Sequence, residues 1–291
     1  MQHSRESWKD SLAGDVRFAL RYFARHKAAV AIIVAVLALG TGANTLIFSI
    51  IQSELVRPAP ALTKDASRVR IWMRERVTPT AAFEVRSFTH REYLALTSRA
   101  TVFRDVAGWI AEDVILQAGD SATARGVGAQ FATPNYFNTL ALTLAAGPGL
   151  ARDAGDAPEM TAVMAHRAAT DMYGSAAAAM GQRILVNEVP MRVVGVAPPR
   201  FQGAKKNMNE PALWMPLSAR AVVVRIPSRW IDTEPTLLLF GRMAPGIAPA
   251  QANAFLQQFA GTTLADSAAR VGMTRTAEVR GMLRAPPGTD T

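Results

Sequence analysis

Apolar positions along the chain fall into one long unbroken run and a succession of short ones. Residues 28–51 read AAVAIIVAVLALGTGANTLIFSII, 24 residues without a charge. As a helix this run is roughly 36 Å long, enough to cross the ~30 Å hydrocarbon core of a bilayer. In lipid an isolated apolar segment must satisfy every backbone N–H internally, so a helix is expected. Ahead of it, Trp8, Leu12, Val16, Leu20 and Phe23 recur at spacings of four and three, while Lys9, Asp10, Arg17, Arg21 and Arg25 fill the opposite face. That pattern predicts an amphipathic helix over 7–26, suited to an anionic membrane surface. Basic residues crowd the N-terminal flank and only Glu54 and Arg57 follow closely, so the N-terminus is expected inside and residue 52 onward outside. A cleaved signal peptide ending near Thr41-Gly42-Ala43 is the rival reading; the apolar residues that resume at Leu46, Ile47 and Phe48 argue against it.

Beyond the run the pattern shortens and mixes. Val69, Ile71 and Met73 alternate with arginines and predict a strand. Thr89 with Glu92 is a capping box opening a helix through Tyr93 and Leu96. Residues 102–116 read as one or two strands with a turn near Glu112. Thr133-Pro134 reads as an N-cap followed by an N1 proline. A buried strand at 160–165 leads to a helix ended by Gly174. Residues 184–186 and 191–196 form a hairpin around Asn187-Glu188. Residues 237–240 are a further strand, and 249–259 a helix closed by Gly261. Little pattern follows Thr262, and 285–291 read as disordered. The fold class is therefore α+β: one N-terminal transmembrane helix, then a mixed domain of short strands and helices. The boundaries are 1–27 for a cytoplasmic helix, 28–51 for the crossing, 52–264 for the main domain and 265–291 for a poorly patterned tail.

Composition narrows the function. There are no cysteines, which removes disulfides, thiolate metal sites and cysteine nucleophiles. The net charge of +9 is dispersed: lysine stands only at 9, 27, 64, 205 and 206, and the arginines are scattered. No basic stripe alternates with aromatics, so nucleic acid is not an expected partner. His3, His26, His90 and His166 lack metal-ligand spacing, and no Walker loop occurs. Gly126-Val127-Gly128 and Gly147-Pro148-Gly149 read as turns or close-packing points, and Glu112-Asp113 and Asp153/Asp156 as solvated turn residues. No catalytic, cofactor-binding or metal residue is assigned, and no cofactor is expected. Within the long run, Gly40-Thr41-Gly42-Ala43-Asn44-Thr45 is small and polar, a composition that lets transmembrane helices approach closely.

A series of phrases in fixed order carries a resemblance. Residues 15–21 (DVRFALR), 38–49 (ALGTGANTLIFS) and Val56-Arg57-Pro58 surround the run. Then come 87–93 (SFTHREY), 133–137 (TPNYF), 181–187 (GQRILVN), 193–201 (VVGVAPPRF), 213–217 (LWMPL) and 241–247 (GRMAPGI). Together they resemble the MacB-like/FtsX-like ABC-transporter permease family, with its MacB-like periplasmic core domain. The resemblance implies an inner-membrane permease component with a periplasmic domain and no enzyme activity of its own. It implies these partners: membrane lipid, a second permease chain or copy, a cytoplasmic ABC ATPase and a periplasmic adaptor. The family pattern departs at Ala146–Leu150, where an arginine-containing glycine turn is usual, and at Asn187-Glu188, where Asn-Gly is common. Family members also carry at least three further crossings, and no second run of that kind follows residue 51. The chain is therefore expected to be a truncated, split or degenerate permease, or a fragment. The alternative is a single-span anchored periplasmic interaction module without ATPase coupling; an anchored periplasmic enzyme is a second rival, without a visible site.

Overall fold

The computed structural model describes residues 22, 24–55, 65–119, 123–150, 159–204, 210–227, 233–264, 273–282 and 287. The chain divides into two compact units, residues 1–57 and 58–291.

The first unit is built on helix α1 (Lys27–Leu55), 29 residues of helix containing the whole 28–51 run. Two of its threonines are satisfied inside the helix: the Thr41 hydroxyl donates to Leu37 O at 2.7 Å and the Thr45 hydroxyl to Thr41 O at 2.8 Å. Ile32, Ile33, Val34, Val36, Leu37 and Leu39 are all exposed. Successive residues on a helix point in different directions, so no single protein-facing stripe accounts for them. Among the described residues no helix is long and apolar enough to cross a membrane, so the crossing at 28–51 rests on the sequence. The amphipathic helix expected over 7–26 lies almost wholly outside the described residues.

The second unit starts from a split βαβ pair. Strand β1 (Arg68–Arg76) is followed by a short β2 (Glu84–Arg86), helix α2 (His90–Thr97) and strand β3 (Phe103–Ala118). Near the other end, β9 (Leu238–Met243), helix α7 (Pro249–Thr262) and β10 (Thr274–Gly281) repeat the plan. These four strands lie in the order β10-β1-β9-β3 with every neighbour antiparallel. This is the ferredoxin-like arrangement. Val69, Ile71 and Met73 of β1, Ala277 and Val279 of β10, Leu96 of α2 and Leu256 and Phe259 of α7 share one core cluster. Pairing on both edges of β1 fixes this register, because a slip by one residue would turn Val69, Ile71 and Met73 out of that core.

Between β3 and β9 the chain inserts a second body. It comprises β4 (Arg125–Ala132), α3 (Tyr136–Thr139), β5 (Thr161–Met164), α4 (His166–Tyr173), α5 (Ala176–Ala179), β6 (Arg183–Val186), β7 (Val189–Val196), β8 (Pro211–Pro216), a 3-10 turn and α6 (Arg220–Val224). Their pairing runs β3-β4-β8-β5-β7-β6 and returns to β3, a closed path. Closure removes free sheet edges over most of this body. The β4–β8 and β5–β7 pairs are parallel. Strand β3 belongs to both bodies. Residues 103–109 pair with β9, and 109–118 with β4 and β6.

Several sequence expectations change. Residues 103–118 are one strand, with no turn at Glu112: Glu112 sits on the strand and accepts from Arg220 Nε at 2.9 Å, and its charge imitated a turn signal. Thr133-Pro134 does not cap α3 directly, since the N-cap position is Asn135. Instead the Thr133 hydroxyl accepts from Gly108 N at 3.1 Å and ties the turn to β3. Gly261 lies inside α7, which ends at Thr262. The tail assigned to 265–291 contains β10, paired with β1 over eight residues. Only Ala277 and Val279 face the core from that strand, and charged neighbours hide the alternation. Most of the stretch from 285 onward lies outside the described residues.

Candidate functional surfaces

Three kinds of surface bear on function: the helix α1, the polar hubs that hold the second unit rigid, and the grooves that open on it.

On α1 a Cβ added at Gly40 or Gly42 would meet nothing within 4 Å. Both glycines thus leave room at the helix surface for a neighbour to approach. The Thr45 hydroxyl is spent within its own helix.

The first hub joins β1, β2, α2 and β10. Glu92 closes the predicted capping box: it accepts from Thr89 N at 2.8 Å, and its own N donates to the Thr89 hydroxyl at 3.2 Å. The same carboxylate accepts from Arg86 Nη1 at 2.9 Å and from Arg275 Nη1 at 3.3 Å. Glu75 completes the set, with Arg86 Nε at 3.2 Å and Arg275 Nε at 3.3 Å. Two arginines and two glutamates are thereby balanced in a largely buried place, where each charge needs its partner. The cap is legible in the sequence and the ion network is not, because Arg275 is 183 residues away from Glu92.

The second hub is aromatic. Gln130 Oε1 on β4 accepts from Tyr136 OH at 2.8 Å and from Trp214 Nε1 at 2.8 Å. Tyr136 OH accepts in turn from Ala204 N at 2.9 Å. Phe137, Phe201, Trp214 and Phe240 pack around it, with Phe137 edge-on to Trp214 at 5.7 Å between centroids. Burial pushes the Tyr136 hydroxyl far above the usual tyrosine range. Arg70 approaches from β1, its guanidinium 5.1 Å from the centre of the Trp72 ring. Burial lowers the Arg70 pKa to about 10. Arg68 Nη1 donates to Leu140 O at 2.7 Å, docking the end of α3 on the sheet.

Two grooves open on the inserted body. One, of about 600 Å³, lies beside β4, α4 and the start of β8. The other, of about 420 Å³, lies between Ile115, Leu185 and Val223, bridged by the exposed Glu188–Arg225 ion pair. Gly126 and Gly128, read as a turn or close-packing point, are residues of β4 on the first groove, and a Cβ at Gly126 would meet nothing within 4 Å. Gly147 is the close-packing point anticipated: at φ 79° its missing Cβ would lie 2.3 Å from Val194 O. Asp113 lies on β3 rather than in a turn, while Asp153 and Asp156 fall outside the described residues. His26 belongs to the first unit, and His90 and His166 open α2 and α4. Among the described residues no three or more His, Asp or Glu side chains converge as a metal site would require.

A family of known domains matches this chain. The model of the MacB-like periplasmic core domain aligns with residues 30–259. No curated protein matches the sequence. Solved structures of similar fold include a domain of a protein described as a permease from Porphyromonas gingivalis, 13% identical, with a TM-score of 0.57 over 81% of this chain and 96% of that one. The periplasmic region of MacB from Actinobacillus actinomycetemcomitans is 14% identical, with a TM-score of 0.54 over 78% and 94%. The extracellular domain of the noncanonic ABC-type transporter YknZ from Gram-positive bacteria is 10% identical, with a TM-score of 0.51 over 74% and 100%. At these identities the likeness shows a shared fold. With the family match covering most of its length, the chain belongs to the family of MacB-like periplasmic core domains.

Proposed function

We propose that this chain is the N-terminal portion of an ABC-permease-like inner-membrane protein. In this reading 1–27 lie in the cytoplasm, 28–51 cross the membrane, and the domain from 52 onward is periplasmic, extended by β10 to residue 281. The observation that carries the proposal is the reach of the family match. It starts at residue 30, inside the apolar run, and continues through the folded domain to residue 259. Helix and domain therefore belong to one inherited unit. The exposed apolar side chains of α1 suit contact with lipid, and Gly40 and Gly42 suit contact with another helix. The second unit is braced by buried hubs rather than built around a reacting centre. That suits a body moved as a whole by a cytoplasmic ATPase, which relays the motion to export or to a periplasmic adaptor. We assign it no catalytic step and no cofactor.

Co-expression with a cytoplasmic ABC ATPase and the C-terminal crossings of a permease tests this reading. Crosslinking from α1 is expected to capture a helix of the permease half or a second copy, and Gly40→Leu with Gly42→Leu is expected to abolish it without reducing membrane insertion. If α1 crosslinks to no other helix and no ATPase copurifies, the anchored interaction module without ATPase coupling is the better description.

A further inference from the structure

Alternate residues of β1 point to opposite sides of the sheet, and the two sides treat their charges differently. On the side of α2 and α7, Arg86 and Arg275 are matched by Glu75 and Glu92. On the other side stand Arg70, Trp72, Arg74 and Arg76. Arg74 has no hydrogen bond and no ion pair among the described residues. Arg76 makes one hydrogen bond, from Nη1 to Pro79 O at 3.2 Å, and meets no acid among them.

An aromatic ring orients these two charges. Phe83, in the segment leading into β2, has its ring centre 5.3 Å from Arg74 Cζ and 4.8 Å from Arg76 Cζ. Such contacts contribute ~0.5–1 kcal/mol each and hold a guanidinium in place, but they do not neutralise it. The Nε–H groups of Arg74 and Arg76 are buried without an acceptor. So is the indole N–H of Trp72, the next residue along the same side, which is only 8% exposed. Buried donors ordinarily have partners. Three such donors in a row, beside two unneutralised charges, mark a face suited to an anion.

The surroundings choose the anion. Arg74 and Arg76 lie two residues apart on a strand, so they repeat at ~6.8 Å. Acidic side chains at alternate positions of an extended peptide repeat at the same interval, and a guanidinium can hold a carboxylate through two N–H groups. Thr276 and Thr274 stand opposite the two arginines on β10 and add hydroxyls to the face. Val85, opposite Arg74 on β2, is 43% exposed and offers apolar contact beside the charges. A membrane surface fits less well, since recognition of anionic lipid takes a cluster of about 4–8 basic residues.

We propose that Arg74 and Arg76, held around Phe83, dock an extended acidic segment of a partner protein, with one carboxylate at each guanidinium. This goes beyond the permease reading and does not depend on it, because every residue of the face lies within the second unit.

The full-length protein in phosphatidylcholine nanodiscs, titrated with fluorescein-labelled octapeptides and read by anisotropy, tests the proposal. The peptides are threonine with two glutamates, placed either two positions apart or adjacent. In an extended chain only the first spacing puts both carboxylates on one side. The spaced peptide is expected to bind saturably, and the adjacent one about threefold more weakly. Arg74→Gln with Arg76→Gln should weaken the spaced peptide by about tenfold, as expected for the loss of two partly exposed charge pairs. Arg91→Gln removes an exposed positive charge from α2, on the other side of the sheet, and should change nothing. Circular dichroism checks that each variant keeps the fold. Absence of saturable binding overturns the proposal, as does equal binding of the two peptides, or an affinity that the double variant leaves intact or that Arg91→Gln lowers equally. Capture of phosphatidylglycerol nanodiscs through Arg74 and Arg76 without peptide binding would assign the face to lipid and overturn it as well. ATPase copurification is read separately and bears on the permease reading alone.

Discussion

Gly147 and Gly174 have the same backbone conformation, φ 79°, and different surroundings. At Gly174, which ends α4, a Cβ would meet nothing within 4 Å; at Gly147 it would overlap Val194 O, Met180 Cε and Gly195 Cα. Gly174→Ala is therefore expected to cost only the left-handed strain, ~1–2 kcal/mol. Gly147→Ala adds displacement of backbone and is expected to cost more than about 3 kcal/mol. Thermal melting of the two variants side by side checks the difference; equal losses would contradict the packing at Gly147. Asn187 and Glu188 form the hairpin turn with φ of 46° and 69°. That is the conformation in which glycine is favoured at the second position. Asn187 has its own reason to stay, since its side chain accepts from Ile115 N at 2.8 Å and donates to Val223 O at 3.1 Å. Glu188 has only an exposed ion pair with Arg225, which contributes ~0–1 kcal/mol. Glu188→Gly should therefore raise stability by about 0.5–1 kcal/mol through relief of left-handed strain. A lowered urea midpoint would show that the ion pair outweighs the turn. The Asn-Glu departure from the family pattern is thus a local strain on an unchanged hairpin.

At the scale of elements, what the sequence makes legible is what local chemistry encodes. The α2 cap, the Gly174 stop, the β6–β7 hairpin and the proline-led start of α7 are all written within a few residues. The misses share a different cause. Strand β4 (RGVGAQFA) is rich in glycine and carries Gln130, so its first half reads as a turn or close-packing point rather than a strand. It is a strand because β3 and β8 pair with it and because Gln130 is satisfied by Tyr136 and Trp214. Strand β10 owes its place to β1 and to Asn253 of α7, whose Oδ1 accepts from Val279 N at 2.7 Å. Such partners are dozens to hundreds of residues away, and no local window contains them. The surfaces follow the same division: the small-residue patch on α1 was visible, while the β4 groove needed the pairing of strands distant in sequence. Glu92 separates the local from the nonlocal part of one element. Thr89→Ala removes only the cap and is expected to cost about 1 kcal/mol. Glu92→Ala also leaves Arg86 and Arg275 to share Glu75 in a largely buried place and is expected to cost about 3 kcal/mol. Urea unfolding of the two variants measures the gap, and similar losses would mean that the ion network contributes little.

At the scale of the molecule, two bodies share strand β3 and are held by separate hubs, the ion network beneath α2 and the aromatic cluster around Gln130. One strand running through both bodies makes a stiff coupling, because its backbone ladder continues without a loop from residue 103 to 118. Such a coupling suits the proposed role, in which motion delivered to the first body would be passed to the second. The whole account stands on where that domain lies. The chain contains no cysteine, so a single introduced thiol reports its own location. Two variants suffice: Ser11→Cys, ahead of α1, and Arg91→Cys, on the exposed side of α2. Intact cells with a permeable outer membrane are treated with a membrane-impermeant maleimide before and after lysis. The account predicts labelling of position 91 in intact cells and of position 11 only after lysis. Labelling of position 11 in intact cells with position 91 protected would contradict it.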